Sequence, residues 1–139
     1  MNEQQLQQLH DELTNDPLTR GYAGMSDTQA ADSLNTVDRT RNRETLTGAQ
    51  IYEATVSADF QALTATEKTY IRDLWSMGGD VQVGPGAKAR AVLITIFGGG
   101  SATVTALAAL LVDDISRGDE LNLGHVKAGH VQMARTLGA

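Results

Sequence analysis

Apolar positions along this chain fall into short blocks with helical spacing, separated by glycine, proline and capping residues. Leu6, Leu9 and Leu13 stand at i, i+3 and i+7, so residues 2–14 are expected to form an amphipathic helix with a narrow apolar stripe. Asn15-Asp16-Pro17 ends it, because proline disfavours helical geometry at the residue before it. Three capping boxes follow: Ser26 with Gln29, Thr47 with Gln50, and Thr64 with Glu67. In each, a hydroxyl accepts from a free backbone N–H and the second side chain returns to the N–H of the cap. They predict helices over about 27–35, 48–54 and 65–77, with a short turn near 58–62. Leu46 and Ile51 stand at the spacing of a hydrophobic staple around the second.

Gly78-Gly79 stops the third of these helices, and Asp80-Val81-Gln82-Val83 alternates too briefly for a strand and reads as a loop. Pro85 opens a helix over 87–97 that is nearly apolar all round, and such a helix is expected to be buried on most sides. After Gly98-Gly99-Gly100, Ser101 caps a helix expected to reach about residue 116, with Val104, Leu107, Leu111 and Ile115 as its inner stripe. These two elements form an αα-hairpin, the expected core. A last helix covers about 128–137. The pattern predicts an all-α fold, a single domain over 1–139 with about six short-to-medium helices. Within it, 1–25 is a helix and loop arm and 26–139 the helical body.

Composition narrows the chemistry. The chain has 139 residues, about one domain's length, and only 4% are aromatic, so its core must be aliphatic and rich in alanine. There is no cysteine, which removes disulfides and thiolate chemistry. No apolar run is long enough for a membrane helix, and the polar, acidic start is unlike a signal peptide. The net charge of −6 divides as −5 over residues 1–35, 0 over 36–100 and −1 over 101–139. Without a basic excess, nucleic acid is not the expected partner.

Gly98-Gly99-Gly100-Ser101 precedes a helix, yet it lacks the Lys-Ser/Thr and the βαβ setting of a phosphate loop and reads as a hairpin turn. His125 and His130 are five apart, His10 is remote, and none has an acidic cluster beside it, so no metal is expected. Asp113, Asp114, Asp119 and Glu120 read as a solvated acidic face, and Arg117-Gly118-Asp119 as a chance match to an adhesion tripeptide. Arg39, Arg41 and Arg43 alternate, and an extended chain would place all three on one side, able to grip acidic groups of a neighbouring subunit. No nucleophile, metal set or cofactor loop assembles, so the expectation is a non-enzyme without cofactors.

The whole-chain pattern resembles a family of small tailed-bacteriophage proteins. The resemblance rests on Asp16-Pro17-Leu18-Thr19-Arg20-Gly21-Tyr22, Met25-Ser26-Asp27, Ala30-Ala31-Asp32-Ser33-Leu34-Asn35-Thr36 and Arg39-Thr40-Arg41-Asn42-Arg43. Ala62-Leu63-Thr64, Phe97-Gly98-Gly99-Gly100-Ser101-Ala102-Thr103, Ser116-Arg117-Gly118-Asp119-Glu120-Leu121 and Leu123-Gly124 extend it to about residues 6–136. It implies a virion structural protein, assembled in the host cytoplasm. The slot expected by analogy is an oligomeric head–tail connector in the neck, a homo-oligomeric ring touching portal, connector or tail subunits with DNA passing nearby. The alternatives are a tail-tip or capsid-decoration part, or a small non-virion regulatory or nucleic-acid-binding phage protein. Arg20, Tyr22, Arg39, Arg41 and Arg43 are the candidate subunit-interface residues, and neither a membrane nor a specific nucleic acid is an expected partner.

Overall fold

The computed structural model describes residues 1–137, and in it the chain folds into two compact units. The first joins residues 1–41 to 114–137, and the second is the continuous stretch 42–113.

In the first unit, helix α1 (Glu3–Asn15) starts at an Asn2–Gln5 capping box and ends at Asp16, whose backbone is left-handed. The Asp16 carboxylate then accepts from the N–H groups of Arg20 and Gly21, both at 2.7 Å, which fixes the loop after Pro17. A 3-10 turn (Tyr22–Gly24) leads to α2 (Asp27–Asn35), opened by the expected Ser26–Gln29 box. Later come α8 (Arg117–Glu120) and α9 (Ala128–Thr136). Leu9 and Leu13 of α1, Leu34 of α2 and Val131 of α9 close a core around the fully buried Tyr22. The Asn35 side-chain amide, at the end of α2, pairs with the Val126 backbone, Nδ2 donating to Val126 O at 2.7 Å and Oδ1 accepting from Val126 N at 2.8 Å.

In the second unit, α3 (Gly48–Ala54) and α5 (Ala65–Trp75) begin at the Thr47 and Thr64 boxes, with the short α4 (Ser57–Gln61) between them. Helices α6 (Lys88–Phe97) and α7 (Ala102–Leu110) complete it. Leu46, Ile51, Ile71, Leu93 and Leu107 belong to its core. Gly48 meets the end of α5 so closely that a Cβ there would lie 2.5 Å from Trp75 O, so only glycine fits.

Strands correct the all-α expectation. Four occur among the described residues, β1 (Val37–Asn42), β2 (Thr45–Thr47), β3 (Asp80–Gln82) and β4 (Val112–Ser116), making a mixed α/β fold. The segment read as a loop is β3, antiparallel to β2, with buried Leu46 opposite buried Val81. Its pairing partner lies some 35 residues back, outside any local pattern. The helix expected to reach residue 116 stops at Leu110, and 112–116 pairs with β1 instead. Continuing it would put Asp113 and Asp114 at the negative end of the helix dipole, and β-branched Val112 and Ile115 favour a strand. The unit boundaries, at 41/42 and 113/114, fall within the residue ranges of β1 and β4.

The hairpin of α6 and α7 differs from expectation too. Leu93, Leu107 and Leu111 are buried, but α6 is not enclosed on most sides. Ile94 is 41% exposed and Val112 38%, with Ala91, Ala108 and Ala109 also exposed.

Candidate interaction sites

Polar chemistry in the first unit centres on Glu12. It lies on the buried side of α1 beside Leu13, and its side chain is only 3% exposed. Arg117, at the start of α8, grips it in bidentate fashion, Nε and Nη2 each donating at 2.9 Å, while Tyr22 Oη donates at 3.1 Å. Arg117 Nη1 also reaches Glu120 at 2.9 Å, and Glu120 receives Arg39 Nε at 2.6 Å and Nη2 at 3.1 Å. The chain Glu12–Arg117–Glu120–Arg39 thus alternates in charge. Hydrogen bonds from Arg39, joined by the charge of Arg117, hold the Glu120 carboxyl below its ordinary range against the opposing effect of burial. Burial, with the Glu12 charge beside it, pushes the Tyr22 phenol up, so it stays a donor.

The five candidate interface residues part company here. Tyr22 is fully buried in the core. Arg20 turns inward, donating to Ser33 O at 2.9 Å and to Asp38 at 2.8 Å. Arg39 and Arg41 share one side of β1, but Arg39 is engaged by Glu120. Arg43 lies past the end of the strand, in the second unit, where it faces Asp113 at 3.9 Å. Arg41 is exposed and makes no ion pair or side-chain hydrogen bond among the described residues. Nothing in the sequence marked Glu12, since its partner is 105 residues away. The one available signal was a carboxylate at the edge of the Leu9–Leu13 stripe.

The histidines act locally. His10 Nδ1 lies 2.9 Å from Ala134 O, and His130 Nδ1 accepts from Lys127 N at 3.1 Å. That acceptance needs a neutral ring, in keeping with burial pulling His130 below its ordinary value. No group of three His, Asp or Glu able to hold a metal occurs among the described residues. Nor is any helix there long and apolar enough to cross a membrane.

The second unit holds a cavity of about 280 Å3 against the α6–α7 hairpin. Buried Leu46, Val83, Leu93, Leu107 and Leu111 form its floor, and the more exposed Ile94, Ala108 and Val112 its mouth. Arg90 is the single charged residue in the lining, and its buried Nη1 finds no hydrogen-bond partner among the described residues. Such an orphan donor is costly, and native structures rarely leave one. A second hollow, of about 250 Å3, lies among Tyr52, Phe60 and Trp75. Trp75 meets Tyr52 edge-on at 5.1 Å and Phe60 at 4.8 Å, and its buried Nε1 is also without a partner among the described residues.

The chain matches no protein family, no curated protein and no solved structure. Two of its surfaces stand out: the uncovered apolar hairpin with Arg90 at its cavity, and the exposed Arg41 on β1.

Proposed function

We propose that this protein is a non-enzymatic structural subunit of a tailed-bacteriophage particle, acting as an oligomeric connector between portal and tail. The observation that carries this reading is the α6–α7 hairpin. Its sequence is that of a buried element, yet Ile94 and the alanines 91, 108 and 109 stand open in the single chain, as does Val112 of β4, which lines the same cavity. Apolar groups left open side by side in this way are suited to a protein contact, one of the roles such surface serves. Contacts between unlike patches of identical subunits generate rings, the form a connector takes. The sequence resemblance over residues 6–136 supplies the particle as the setting.

The test is mass spectrometry of purified particles from a host expressing this chain among the phage proteins. A fixed copy number in step with the portal is the expected result. A copy number in step with the major capsid protein would make it a decoration protein instead, and absence from particles would end the structural reading.

A further inference from the structure

We infer that residues 91–97 are a self-association segment acting as a β-strand: α6 leaves the folded second unit before α5 and α7, and the released stretch pairs with the same stretch of another copy. The inference goes beyond the proposed function, since it concerns the chain with α6 detached and holds inside or outside a particle. The weakness of α6 begins in its own residues. Helices α3, α5 and α7 each open on a hydroxyl that accepts from a backbone N–H, but α6 opens at Ala87, which offers none. Lys88 and Arg90 put two cations at the positive end of its dipole, with no acid in the first turn to offset them. Val92, Ile94, Thr95 and Ile96 are β-branched and lose side-chain freedom in a helix. Tertiary packing compensates for little of this. Leu93 is the one buried residue of α6, and a cavity of about 280 Å3 lies between the helix and α7. The buried Nη1 of Arg90 lacks a partner among the described residues, and detachment returns it to water. Past the end of the helix, Gly98, Gly99 and Gly100 stand in open space. A helix of 10 residues does not persist in water without its core, so α6 unravels as it detaches.

What is released is the run from Ala91 to Phe97, which holds no charge, no proline and no glycine, and in which strand formers predominate. That is the composition of segments that stack as strands between identical chains. The same composition selects the partner. Identical strands stacked in register set each side chain beside its own copy, and like charges there repel. Strand β1 carries Arg39 and Arg41, β3 carries Asp80, and β4 carries Asp113 and Asp114, so none of them stacks freely on itself. Strand β2 has only 3 residues. Helix α7 is rich in alanine and capped by Ser101, so its own residues keep it helical. Residues 91–97 meet no such obstacle. Arg90 before them and the glycines after them confine the pairing to this stretch.

The experiment follows the full chain by hydrogen exchange with mass spectrometry, and by sedimentation and infrared spectra during long incubation below the melting transition. Amides of 91–97 should exchange at least ~10-fold faster than those of α5 and α7. Wild type should then form assemblies with an intermolecular strand signal and a repeat of about 4.7 Å along the fibre. Ile94→Lys replaces an exposed side chain, so it should fold normally by circular dichroism and assemble at least ~10-fold more slowly. Ala87→Asp supplies the missing cap and an anion near Lys88 and Arg90, so it should slow both the exchange of α6 and the assembly, each about 5-fold. Met133→Lys, at another exposed apolar position, should change neither. The inference is overturned by α6 amides as protected as those of α5, or by a wild type that forms no strand-rich assembly. Assembly of Ile94→Lys or Ala87→Asp at the wild-type rate would overturn it too, as would slowing by Met133→Lys. So would copies that associate with α6 still protected and without a strand signal, an outcome that leaves the connector reading in place.

Discussion

Glu12 and Arg117 show how much of the first unit hangs on single side chains. Both are desolvated, and their pairing is bidentate. Removing one partner of such a pair leaves an uncompensated charge, and the usual cost is about 3–5 kcal/mol. Glu12→Ala should therefore lower the unfolding free energy by about that amount in urea titration. Replacing Glu12 and Arg117 together by leucine and methionine should cost less than the single change, because apolar packing can stand in for a buried ion pair. A double variant worse than the single would refute this account. Glu120 gives a pH signature. Its folded-state pKa lies below the ordinary 4.5, so its stabilising effect is fully present above that value and is lost as pH falls through the folded-state value. The gap in urea midpoint between wild type and Glu120→Gln should be widest near neutrality and close in acid.

Among the elements, those specified by neighbouring residues were legible in the sequence. All three hydroxyl capping boxes form at the expected positions, because a cap is written within four residues. What depends on distant partners was hidden. Strand β4 exists because β1 lies beside it, some 70 residues earlier in the chain, and the short alternation of β3 becomes a strand only against β2. The site was legible in fragments, the arginine alternation being visible while the engagement of Arg39 by Glu120 was not. The start of α7 combines both cases. Ser101 caps it locally, its Oγ accepting from Val104 N at 3.1 Å. Asp59, 44 residues away, accepts from the N–H of the fully buried Thr103 at 2.9 Å and from its hydroxyl at 2.6 Å. Asp59→Ala leaves those donors unpaired and should cost about 1–3 kcal/mol by thermal melting, more than the ~1 kcal/mol expected for Ser101→Ala.

At the scale of the whole molecule, exposed charged groups with no internal partner are the ones free to meet another molecule. Of the five candidate interface residues, Arg41 alone is exposed and without an ion pair or side-chain hydrogen bond among the described residues. Arg41→Ala should leave the melting temperature unchanged and reduce incorporation into particles, as read by copy number in purified virions. Normal incorporation would return this arginine to the solvated surface. The course of the chain through its two units has a further consequence. On the ribosome, residues 42–113 emerge as an unbroken stretch and can fold at once, while the first unit must wait for its closing segment. Leu9 and Tyr22 pack in the same core as Val131, so at a synthesis rate of roughly 5–20 residues per second the N-terminal helix stays uncovered for on the order of ten seconds. A nascent chain arrested before α9 should therefore hold a protease-resistant second unit behind a cleavable N-terminal segment. The second unit is a continuous stretch of chain that interrupts the first between residues 41 and 114.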